Sequence, residues 1–131
     1  MKNLFLCPHC QAVLNPNVKI LLVVRYRKKQ GMILLSPQPG NYNIIWDNNV
    51  LEGVKEGSTL TFCCPVCGDE LTSPADKKFA FLHLERPGQD LKRVEFCRIY
   101  GKHATFIVDG ENVTSYGDDV DHFDNTNFFG A

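Results

Sequence analysis

The reading of this chain turns on two octapeptides, CPHCQAVL at residues 7–14 and CPVCGDEL at residues 64–71. Both spell Cys-Pro-x-Cys-x-x-x-Leu, a short internal repeat. In such a turn the backbone N–H groups that follow the first cysteine point at its sulfur and stabilise the thiolate, while proline fixes φ. Two turns facing each other supply four sulfurs, the closed tetrahedral shell of structural zinc. The expected ligands are Cys7, Cys10, Cys64 and Cys67.

Cys63 and Cys64 are adjacent, so one is surplus. The repeat selects Cys64, which pairs with Cys67 across Pro65. Alternation along STLTFCC agrees: Leu60, Phe62 and Cys64 share one face of a strand, and Cys63 shares the other with Thr59 and Thr61. Cys63 is then a strand residue beside the site, with substitution as a ligand the alternative. Gly68 follows Cys67 where such a turn often needs positive φ. The first turn has Gln11 there, which implies some strain. Cys97 lies in an apolar strand pattern and reads as a core thiol.

On these residues the chain resembles the zinc-ribbon class. The resemblance rests on the four cysteines with Pro8, Pro65 and Gly68, and it covers about sixteen residues. It implies a β-rich scaffold clasping zinc between two knuckles, and little about function, since such ribbons serve transcription, translation, enzyme and adaptor proteins alike. CPVCG also resembles the second knuckle of rubredoxins, which implies iron as the alternative metal. Here, however, the segment between knuckles is much longer and reads as hydrophobic hairpin.

A redox reading of Cys7-Pro8-His9-Cys10 competes. The same four letters occur in oxidising members of the thioredoxin-like family, where the motif follows a strand of a βαβ unit and opens a long helix. Here it begins at residue 7, and Asn15-Pro16-Asn17 breaks a helix almost at once. His9 becomes an exposed turn residue.

The remaining patterns make the fold class all-β: a zinc ribbon with a long inserted β-hairpin or sheet, followed by an antiparallel β-meander. VKILLVVRY and MILLS flank the polar turn RKKQG as a hairpin. YNIIWD is a third strand, NNVLEGVKEGS a loop, and TLTFC leads into the second knuckle. KFAFLHLE, LKRVEFCRIY and HATFIVD follow, joined by RPGQD and YGK, and DGEN turns into VTSY. SPADKK carries the start signals of one helical turn, with Ser73 as cap and Pro74 in first position. The expected division is residues 1–72 for the ribbon and its insert, 73–117 for the meander, and 118–131 for an acidic aromatic tail. That tail reads as flexible, except that Phe123, Phe128 and Phe129 offer docking groups for this domain or a partner.

The formal net charge of −1 gives no support for strong non-specific nucleic-acid binding. Arg25, Arg27, Lys28 and Lys29 cluster at the first hairpin turn. They read as a solvated tip, or as phosphate contacts without the interleaved aromatics that stack bases. No apolar run approaches the ~20 residues that span a bilayer. The apolar run near residue 4 is too short for a signal sequence, and Leu4-Phe5-Leu6 is too bulky for a lipid-anchor site. Clustered cysteines then favour a cytoplasmic, reducing compartment. No nucleophile elbow, phosphate loop or dinucleotide fingerprint is present. His83, Cys97 and His103 form a second metal-capable set only if neighbouring strands juxtapose them. The expectation is a non-catalytic module that binds a protein partner, as monomer or dimer. A redox or electron-transfer protein is the alternative.

Overall fold

The computed structural model describes residues 3–46, 52–123 and 128. The stretch 47–51, which holds most of the start of the expected loop after the third strand, and Phe129 lie outside them.

The protein is all-β, as the alternation implies. Among the described residues nine strands run in order: β1 Leu4–Leu6, β2 Ile20–Tyr26, β3 Lys29–Leu35, β4 Ile44–Trp46, β5 Thr61–Cys63, β6 Phe79–Glu85, β7 Lys92–Cys97, β8 Thr105–Asp109 and β9 Asn112–Tyr116. They form two antiparallel sheets, a five-stranded one ordered β1-β6-β7-β8-β9 and a four-stranded one ordered β4-β3-β2-β5. The β2–β3 hairpin is tighter than RKKQG suggested. Only Arg27 and Lys28 lie between the strands, because Arg27 accepts a φ of 56°. SPADKK is not helical: Ser73 Oγ takes the N–H of Ala75 and Asp76 Oδ1 takes that of Lys78, so both side chains hold turns instead. A single 3-10 turn, Val120–Phe123, follows β9.

The two halves repeat one unit: a short strand, a cysteine turn, then a three-strand meander. The first copy is β1, Cys7–Cys10 and β2-β3-β4; the second is β5, Cys64–Cys67 and β6-β7-β8. Matching hydrogen bonds establish the equivalence. Leu14 N–H donates to Phe5 O at 2.7 Å, and Leu71 N–H to Phe62 O at 2.8 Å. Leu21 N–H donates to Leu14 O at 2.7 Å, and Phe81 N–H to Leu71 O at 2.8 Å. The leading strands are exchanged. β1 pairs with β6 of the second copy, Phe5 opposite Leu84, and β5 pairs with β2 of the first, Phe62 opposite Val24.

Period-two alternation then places equivalent side chains in one core between the sheets. Leu14 and Leu71, Leu22 and Leu82, Val24 and Leu84, and Ile33 and Val94 are all buried there. Each such side chain contributes about 1.5–3 kcal/mol on burial. Among the described residues, β9 and the segment after it have no counterpart in the first copy. The 3-10 turn brings Phe123 onto the outer face of the five-stranded sheet, where Phe128 joins it against Phe79 and Phe106. Phe123 and Phe128 of the tail thus dock on the domain itself.

Candidate metal centre

Each cysteine turn begins where a leading strand ends, so the exchange of β1 and β5 sets the two turns against each other. The local geometry repeats closely. Cys7 Sγ receives the N–H groups of His9 at 3.4 Å and Cys10 at 3.5 Å. Cys64 Sγ receives those of Val66 at 3.3 Å and Cys67 at 3.4 Å. Gln11 N–H closes the first turn onto Cys7 O at 2.9 Å, and Gly68 N–H the second onto Cys64 O at 3.0 Å. These amides stabilise a thiolate at the first cysteine of each pair.

All four sulfurs lie within 4.8 Å of one another. Cys7 Sγ is 3.8 Å from Cys67 Sγ, and Cys10 Sγ is 3.7 Å from Cys64 Sγ. A tetrahedron of sulfurs around zinc, with bonds of about 2.3 Å, has edges of about 3.8 Å. A disulfide needs about 2.05 Å. The donor set and its spacing therefore fit a four-thiolate metal ion. Burial pushes the Cys7 thiol up to about 12, against the lowering effect of the Cys10 and His9 amides. Burial is the largest influence on Cys64 and raises it, but the amides of Cys67 and Val66 together with the thiols of Cys7 and Cys10 outweigh it and the net shift is downward. Cys7 and Cys64 are buried, while Cys10 and Cys67 reach the surface.

The surplus thiol is placed as the alternation indicated. Cys63 is fully buried outside the cluster, and burial raises its pKa. His9 is exposed; its Nε2 lies 3.1 Å from the carbonyl of Glu70, a link between the two turns. His83, Cys97 and His103 are not brought together, and among the described residues the four cysteines are the only such metal-capable group. His83 faces Arg93 across the strands, whereas His103 stacks on Tyr42 with ring centroids 4.4 Å apart.

The strain expected at Gln11 is present. Gln11 takes φ 66° and Gly68 takes φ 79°, the same left-handed step in both turns. A residue with a Cβ loses roughly 1–2 kcal/mol there. Glycine gives back roughly 0.5–1 kcal/mol through unfolded-chain entropy. Gln11→Gly is therefore expected to stabilise the metal-loaded protein by roughly 0.5–1 kcal/mol, read as a higher urea midpoint. A lower midpoint would mean that the Gln11 Nε2 contact to Pro8 O, at 3.5 Å, outweighs the strain.

One buried charge was not legible in the sequence. Glu95 is fully buried on the outer side of β7, and burial pushes its carboxyl up against the opposing effects of Ser73 and Arg93. Arg93 Nε lies 2.6 Å from Glu95 Oε2, without the alignment of a hydrogen bond, and Arg93 also donates to the carbonyl of Phe128. At the other end, Arg25 Nε donates to Gln30 and Arg27 lies over the Tyr26 ring, while Lys28 and Lys29 are exposed. No helix among the described residues is long and apolar enough to cross a membrane. No family model, curated protein or solved structure matches the chain.

Proposed function

We propose that the protein is a zinc-stabilised β module whose metal holds the two halves together and performs no chemistry, and whose role is to bind a protein partner. The observation that carries this reading is the closed set of four sulfurs. Catalytic zinc keeps one position for water or substrate, and four thiolates leave none. Cys7, Cys10, Cys64 and Cys67 would hold the ion, and the ion supplies four bonds that cross-link the exchanged strands. A basic hairpin tip at Arg25, Arg27, Lys28 and Lys29 makes nucleic acid the less favoured partner, since the aromatic ring beside it, Tyr26, is half-buried and already covered by Arg27.

Iron at the same site, with electron transfer as the function, is the second reading. It is supported by the same four sulfurs and their N–H bonds. Metal analysis and the visible spectrum of protein purified without added metal separate the two. The expected result is a colourless protein with stoichiometric zinc. Stoichiometric iron with thiolate colour would establish the second reading, and metal-free protein with a Cys7–Cys10 disulfide would overturn both.

A further inference from the structure

The internal duplication exposes a difference between the two copies. In the second copy, the outer face of the sheet carries Phe79, Phe81, Glu95, Phe106 and Val108, and the acidic segment after β9 lays Phe123 and Phe128 over Phe79, Phe106 and Val108. In the first copy, the equivalent face carries Leu21, Val23, Met32, Leu34 and Ile45. Cross-strand pairing makes these contiguous: Val23 lies opposite Met32, Leu21 opposite Leu34, and Leu34 opposite Ile45. Met32 is 44% exposed and Ile45 58%. Leu21, Val23 and Leu34 are half-buried beside them, and an apolar patch left partly open among the described residues marks an interaction surface.

Charge indicates what covers it. Arg25 projects from the same face of β2, and Arg27, Lys28 and Lys29 crowd the turn at its end. The segment that covers the sister face is acidic, with Asp118, Asp119 and Asp121 ahead of Phe123. We propose, building on the reading of this protein as a binding module, that the outer face of the four-stranded sheet docks an acidic, phenylalanine-bearing segment of a partner protein. Its apolar side chains would sit over Met32, Leu34 and Ile45, and its carboxylates would face the basic turn. Such charges set orientation and on-rate more than affinity.

The test uses the full metal-loaded chain with methyl labels and a synthetic peptide, GDDVDHFDNTNFF, the chain's own residues 117–129. The expected result is movement of the Leu21, Val23, Met32, Leu34 and Ile45 methyl signals at peptide concentrations up to about 1 mM. A Met32→Asp, Ile45→Asp double variant is expected to weaken binding about tenfold or more. A peptide with asparagine for aspartate is expected to bind about fivefold more weakly at low salt. Retained metal and an intact amide spectrum show that the variant is folded. Four results would overturn the proposal: no methyl shifts, shifts confined to the neighbours of Phe79 and Phe106, the same shifts on raising protein concentration alone (a second copy as the occupant), or shifts caused by an oligonucleotide and not the peptide. Metal analysis of the same sample tests the zinc reading separately, since peptide docking and metal content can fail independently.

Discussion

Replacing Cys64 with serine is expected to release the metal and to melt both sheets together. The reason is the exchange of leading strands. Each cysteine turn leaves a strand of one sheet and leads into the other: β1 lies in the five-stranded sheet and β2 in the four-stranded one, whereas β5 and β6 run the opposite way. Neither sheet is free of the cysteine cluster. Structural zinc contributes about 10–16 kcal/mol on binding, and a whole domain is stable by only about 5–15 kcal/mol. The amide spectrum of Cys64→Ser should therefore collapse for Leu22 and Ile33 of one sheet and for Leu82 and Val94 of the other. Cys63→Ala is the control. Its sulfur is buried outside the cluster, so metal should be retained, with a loss of roughly 1 kcal/mol from packing. Metal kept by Cys64→Ser and lost by Cys63→Ala would reverse the ligand assignment. A variant that melts only the four-stranded sheet would contradict the coupling.

Ending the chain at Gly117 is expected to lower stability by about 3–6 kcal/mol without loss of metal, the contribution of burying two phenylalanine side chains. Phe123 and Phe128 are both buried, and Phe79 beneath them is wholly so. Ring centroids of Phe123 and Phe128 lie 4.8 and 5.4 Å from that of Phe79. This value is an upper estimate, because an unfolded chain already buries part of that surface. The denaturant midpoint should fall and hydrophobic-dye binding should rise. An unchanged midpoint would show that the segment contributes no packing.

What was legible in the sequence followed from local rules. The two CPxC turns, the choice of Cys64 over Cys63, and the positive φ at Gln11 and Gly68 all follow from spacing and alternation over a few residues. Strand positions followed from period-two patterns. The duplication beyond the turns was not legible, because a sheet core demands only apolar character. Leu22 can match Leu82, and Ile33 can match Val94, without a shared letter to mark the repeat. Nor does alternation say which strand pairs with which, so the exchange of β1 and β5 was hidden. The tail misled in part because Asp118, Asp119 and Asp121 dominate its composition while two phenylalanines dominate its energetics. Glu95 was unreadable for a related reason: in LKRVEFC it occupies an ordinary outward position, and its burial beside Ser73 and Arg93 depends on segments far from it in the chain.

The central claim is a closed shell of four sulfurs from both halves of the chain. X-ray absorption at the zinc edge on the purified protein tests it most directly. The expected result is four sulfur neighbours at about 2.3 Å and no lighter atom in the shell. A nitrogen or oxygen neighbour at about 2.0 Å, or fewer than four sulfurs, would contradict the account and open a position for chemistry at the metal.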